Sequence, residues 1–200
     1  MAGIKIKASF LSAVLLMGVV AQGQDGGGAS PSPGAVTSGT GAIAPPVIAA
    51  RNFTVVSAPR LIVLLPDPPE GWTSDKPEGA TSESQGFPIT TVGCVYVNGN
   101  ADNAPTATIN IIDSANNQQF QDATKAIWNS TDSSPQGYDK TVIVDGLPGF
   151  EHYTNADQTG VLWVIAGGRF FVQIETTRQK PAELEAWLGR IDLKKLAALK

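Results

Sequence analysis

Val161-Leu162-Trp163-Val164-Ile165-Ala166-Gly167-Gly168-Arg169-Phe170-Phe171-Val172-Gln173-Ile174 is the stretch that decides the fold. Two runs of aliphatic and aromatic residues meet at a pair of glycines, the pattern of a β-hairpin. With Gly167-Gly168 as a two-residue turn, Ile165 faces Phe170, Trp163 faces Val172 and Val161 faces Ile174. That register gathers six apolar side chains on one face and makes Trp163, Phe170 and Val172 core residues. The other face pairs Val164 with Phe171 and Leu162 with Gln173, so it is less apolar but far from polar. A central strand pair with partial cover on its second side is expected.

The preceding hairpin follows the same logic. Asp145-Gly146 readily supplies the positive φ angles of a type I′ turn. Counting outward pairs Val144 with Leu147, Lys140 with Glu151 and Tyr138 with Tyr153 on one face. Thr141 with Phe150 and Asp139 with His152 occupy the other, so opposite charges and matched aromatics meet. Pro148-Gly149 could shift this register through a bulge.

Upstream, Thr106 to Asp113 alternates as a half-buried strand, and Thr91 to Val97 reads as another. Ser114 offers a helix N-cap, after which Phe120, Ala123, Thr124, Ile127 and Trp128 recur at helical spacing. Ser133, Ser134, Pro135 and Gly137 end that helix. At the C-terminus Pro181 suits a first helical position, followed by Leu184, Trp187, Leu188 and Ile191 at i, i+3, i+4 and i+7. Asp192 can cap a final turn carrying Leu193 and Leu196. Strands, helix, strands, helix predict an α+β domain, a mostly antiparallel sheet packed with two to three helices, over residues 59–200.

The rest of the chain is different material. Lys5 and Lys7 precede an uncharged, largely apolar run from Ala8 to Val20 and the small-residue site Ala21-Gln22-Gly23. Residues 1–23 therefore read as a secretory signal peptide, too short in its apolar run to span a bilayer once roughly 20 residues are required. Export to the periplasm or medium, cleavage before Gln24 and no membrane span afterwards are expected. Residues 24–58 lack charge from Gly26 to Ala50 and are dominated by Gly, Ala, Ser, Thr and Pro, the composition of a flexible linker. Asn52-Phe53-Thr54 and Asn129-Ser130-Thr131 are formal glycosylation sequons.

Composition excludes several chemistries. The 200 residues hold 14 Lys+Arg against 18 Asp+Glu, a net charge of −4, so no basic surplus exists for nucleic acid. Loss of residues 1–23 removes both methionines and two lysines, deepening the net charge to −6. One Cys and one His cannot form a disulfide or a Cys/His zinc site. Cys94, between Gly93 and Val95 in a strand, reads as a buried inert thiol. Asn98 to Asn103 is rich in oxygen ligands but lacks the alternation and terminal Glu of a calcium loop, and reads as a strand-to-strand turn. Gly26-Gly27-Gly28 precedes no Lys-Ser/Thr pair and is no phosphate loop. No metal and no cofactor are expected.

His152 is the single imidazole, and Asp139 across from it supplies two members of a Ser-His-Asp arrangement. The serines at hand, Ser114 and Ser133, lie at helix ends, and no Gly-x-Ser-x-Gly elbow occurs. Asp139 and His152 are therefore read as a structural pair, as Trp163, Phe170, Val172 and Trp187 are read as core. The four tryptophans Trp72, Trp128, Trp163 and Trp187 can fill a core or line a site.

Pro66, Gly71-Trp72, Pro77-Glu78-Gly79, Gly137-Tyr138-Asp139-Lys140-Thr141-Val142, Gly149-Phe150-Glu151, Gly168-Arg169-Phe170-Phe171-Val172 and Ile191-Asp192-Leu193-Lys194-Lys195-Leu196 resemble a group of exported bacterial proteins of uncharacterised role. The element order is also similar to the Mog1/PsbP-like fold, and that resemblance implies an accessory or binding role. Two functions are thus expected. One is a non-catalytic envelope protein that binds a partner protein or a small apolar ligand. The alternative is an envelope hydrolase using carboxylates such as Asp113, Asp139 or Glu151.

Overall fold

A computed structural model describes residues 54–84, 87–115, 117–128 and 131–200. Residues 1–23, read as a signal peptide, almost all of the stretch 24–58 read as a linker, and the sequon asparagines Asn52 and Asn129 lie outside the described residues. The order is α1 (Ala58–Ile62), β1 (Trp72–Ser74), β2 (Glu78–Ser84), β3 (Phe87–Asn98), β4 (Thr106–Asp113), α2 (Gln118–Ile127), β5 (Asp132–Ser134) and β6 (Gly137–Val144). There follow β7 (Leu147–Thr154), β8 (Thr159–Ala166), β9 (Phe170–Thr177), α3 (Ala182–Leu188) and α4 (Leu193–Ala197). All strands join one antiparallel sheet in the order β1-β3-β4-β9-β8-β7-β6-β5, with β2 also on β3. The domain is α+β and single, as the two sequence periods require.

The β8–β9 pair is central, but its register differs from the expected one. Ala166 pairs with Phe170, Val164 with Val172, Leu162 with Ile174 and Trp163 with Gln173. Gly167, Gly168 and Arg169 form a three-residue loop, both glycines at positive φ (58° and 62°). A one-residue slip transfers one whole strand to the other face. Leu162, Val164 and Ala166 therefore join Phe170, Val172 and Ile174 in the main core, while Trp163 sits half-buried on the second face. The loop's extra residue has a tertiary cause: Arg169 is drawn into a buried ion pair with Asp113. Trp163→Ala is accordingly expected to cost less than Phe170→Ala, which empties a fully buried site worth about 3–5 kcal/mol. Urea melts of the two variants measure the difference.

The β6–β7 hairpin pairs Val144 with Leu147, Lys140 with Glu151, Tyr138 with Tyr153 and Asp139 with His152, without a bulge at Pro148. Asp145 and Gly146 take φ 52° and 79° in its turn.

The first sheet face carries the main core, Ile109, Ile111, Val172, Ile174 and Leu162 among it, under α1, α3 and α4. The second face holds a smaller cluster of Ile112, Ile165, Phe171 and Trp128, against which Phe120 of α2 packs edge-to-face on Phe171. Ser114 does not cap α2. Its hydroxyl donates to the Arg169 carbonyl at 3.0 Å, and Asn117 takes the cap by accepting from the Phe120 N–H at 3.2 Å. Residues 54–58, read as the end of the linker, belong to the domain: Val56 is buried, and its N–H donates to Asp113 at 2.6 Å. Helix α1 and strands β1, β2 and β5 have no counterpart in the sequence reading.

Candidate functional site

Alternation along β6 and β7 places Asp139, Thr141, Phe150, His152 and Thr154 on the second face, beside Val161 and Trp163 of β8. Within this row His152 Nδ1 lies 2.5 Å from Asp139 Oδ1, and His152 Nε2 lies 3.3 Å from Thr154 Oγ1. The sequence reading found the acid and the imidazole but not the hydroxyl. Thr154 stands two residues from His152 on the same strand, a spacing that was legible once the strand was assigned. Ser114 and Ser133 do not reach the pair. Ser114 is buried against Arg169, and Ser133 pairs with Tyr138, which faces the opposite side.

Asp, His and hydroxyl in a chain have the connectivity of a nucleophilic triad, but the surroundings do not complete one. Such a nucleophile needs backbone N–H groups aimed at a developing oxyanion. Thr154 is paired on both sides, with Gly137 and Thr159, and the Asn155 N–H donates to the Gln136 carbonyl at 2.8 Å. Its neighbouring donors are thus consumed by the sheet. The His152 and Asp139 side chains are also 48% and 35% exposed, in water that screens the pair. His152→Gln is expected to change stability by at most about 1 kcal/mol. Equilibrium denaturation of the variant checks this.

The three carboxylates considered for hydrolysis are separated by the same geometry. Asp139 faces the second side, Glu151 and Asp113 the first. Glu151 is buried, accepts from the Tyr138 hydroxyl and pairs with Lys140 Nζ at 3.1 Å. Burial, then the hydrogen bond to Glu151, holds the Tyr138 phenol above its ordinary pKa. Asp113 is clamped by Arg169 Nε and Nη2 at 2.7 Å each, and it also accepts from the Val56 and Ala115 N–H groups. Three strands across and four residues along separate Glu151 from Asp113, about 20 Å. Paired glycosidase carboxyls lie within roughly 10 Å.

A shallow groove of about 170 Å³ beside the row is lined by Asp132, Ser134, Gln136, Tyr138, His152 and Thr154. A second cleft of about 530 Å³ lies between residues 156–159 and Thr177-Arg178. Both open along the end of the sheet that α2 leaves uncovered. There the second face presents the cross-strand pairs Thr154–Thr159 and Thr106–Thr177 on either side of the second cleft, and His152, Val161 and Glu175 in the next row. Phe150 and Trp163, half-buried cross-strand neighbours, border these rows.

Burial raises the Glu175 carboxyl above its ordinary value, although Gln173 Nε2 donates to it. A raised carboxyl means that the folded state binds protons more readily than the unfolded one. Its contribution therefore favours folding below the ordinary value and turns unfavourable as pH rises through the interval up to the raised one. Glu175→Gln is expected to raise the melting temperature at neutral pH and to remove that slope. Melts of both proteins from about pH 4 to 8 give the result.

The remaining expected positions pack as core. Trp187 is buried, edge-to-face with Trp72 and tilted against Tyr96, each 4.9 Å between centroids. Cys94 is buried, and burial pushes its thiol up, the opposite of a nucleophile. Asn98 to Asn103 ends β3 and turns toward β4. Among the described residues no cluster of His, Cys, Asp and Glu could hold a metal ion, and no helix is long and apolar enough to cross a membrane. The chain matches no family model, no curated protein and no solved structure.

Proposed function

We propose that this chain is an exported accessory module of the cell envelope, periplasmic or secreted, that binds a partner protein and performs no chemistry of its own. The observation that carries the reading is the end of the second sheet face that no described helix covers, where Phe150 and Trp163 border rows of hydroxyl, imidazole and carboxyl groups. A half-buried aromatic pair with a polar rim is the composition of a protein-binding surface. A small apolar ligand is disfavoured because Trp72, Trp128 and Trp187 pack against the protein itself. Hydrolysis is disfavoured because Asp113, Asp139 and Glu151 each have an intramolecular partner. The resemblance to exported bacterial proteins and the Mog1/PsbP-like element order supports the accessory role.

Affinity capture from the native envelope fraction tests the surface. The wild type is expected to retain a partner that the double variant Val161→Lys, Thr177→Lys loses while melting at an unchanged temperature. Equal capture by both would remove this face from the binding role. N-terminal sequencing tests export. A chain beginning at Gln24 is expected, and an intact Met1 species confined to the cytosol would overturn it.

A further inference from the structure

At the far end of the sheet from the candidate site, β2 pairs with β3 along its full seven residues, and no described strand pairs with its other side. Every residue from Glu78 to Glu83 is exposed. The Val95 carbonyl of β3 accepts from the Asp75 N–H at 2.9 Å, so the odd-numbered residues of β3 turn their backbone groups toward this edge. Gly93, Thr91 and Ile89 therefore exchange hydrogen bonds with Glu78, Ala80 and Ser82. The intervening Gly79, Thr81 and Glu83 present their N–H and C=O groups outward.

Edge strands of this length are normally blunted by charged side chains, above all lysine, by proline, by a bulge or by a covering element. Between Glu78 and Ser84 there is no lysine, no proline and no bulge, its only charges are the carboxylates of Glu78 and Glu83, and α1 meets it at Gly79. We propose that the outer edge of β2 is a homodimer interface, where two copies join antiparallel about a two-fold axis through Thr81 to make one continuous sheet. The register argues for a second copy rather than another chain. It brings Thr81 opposite Thr81, Gly79 opposite Glu83 and Ala80 opposite Ser82, and it leaves each carboxylate facing an uncharged position. About six interchain backbone hydrogen bonds follow from the three outward residues of each copy. The interface is independent of the binding role assigned to the second face.

Sedimentation equilibrium of the purified chain over about 1–300 μM is expected to show a concentration-dependent monomer–dimer equilibrium. Thr81→Lys sets two ammonium groups opposite each other and is expected to weaken the dimer at least about tenfold relative to Thr81→Val, which like it removes the 2.8 Å hydroxyl contact with buried Thr90 but adds no charge. Thr81→Cys is expected to cross-link under mild oxidation, since the axis puts the residue about 5.5 Å from its copy, within disulfide range. Ser82→Cys, which faces Ala80, is expected not to. A wild type monomeric over the whole range overturns the proposal. So does equal dimerisation by Thr81→Lys and Thr81→Val, or cross-linking at 82 as efficient as at 81.

Discussion

Asp113→Ala is expected to destabilise the domain by about 3–5 kcal/mol, the usual cost of removing one partner from a buried ion pair. Asp113 is inaccessible and holds four donors: two from the Arg169 guanidinium and the N–H groups of Val56 and Ala115. Arg169 is itself 8% exposed, and its Nη2 also donates to the Thr54 carbonyl at 2.8 Å. Truncating the acid leaves a buried guanidinium charge without its counter-ion and releases the Val56 N–H from the end of β4. The double variant Asp113→Leu, Arg169→Met removes both charges together and is expected to be markedly more stable than Asp113→Ala, because no buried charge is left unpaired. Chemical denaturation of the single and double variants separates the two cases. A double variant no better than the single one would mean that the backbone contacts, not the charge, dominate.

Trp187→Ala is expected to cost about 3–5 kcal/mol. The indole is 2% exposed, lies between Trp72 and Tyr96, and donates from Nε1 to Gln179 Oε1 at 3.1 Å. Gln179 Nε2 in turn donates to the Thr106 carbonyl, so the indole ties α3 to the start of β4 as well as to the core. Trp187→Phe keeps most of the volume but leaves the Gln179 oxygen without its donor, and is expected to recover more than half of the loss. Thermal melts compared with Trp163→Ala provide an internal control, since Trp163 lies on the half-covered face.

The amino-acid sequence by itself determined which segments are strands around the two hairpins, the β6–β7 register, the C-terminal helices and the antiparallel α+β class. Each of these rests on a local cause: a period of 2 or 3.6, a turn dipeptide with the right φ preference, or a capping side chain one turn away. Tertiary structure alone decided the rest. Asp113 and Arg169 are 56 residues apart, and their pairing sets the third loop residue that shifts β8 against β9 and turns Trp163 out of the main core. The same two residues draw Ser114 from its cap, through the Arg169 carbonyl, and hold Val56 in the domain, through the Asp113 carboxylate. Strand β2, built of Glu78-Gly79-Ala80-Thr81-Ser82-Glu83-Ser84, carries no alternation of apolar residues, because it is an edge whose side chains bury little and whose shape is imposed by β3. Local preferences act over a few residues, whereas a buried ion pair or an edge strand draws its free energy from groups that the chain brings together only on folding.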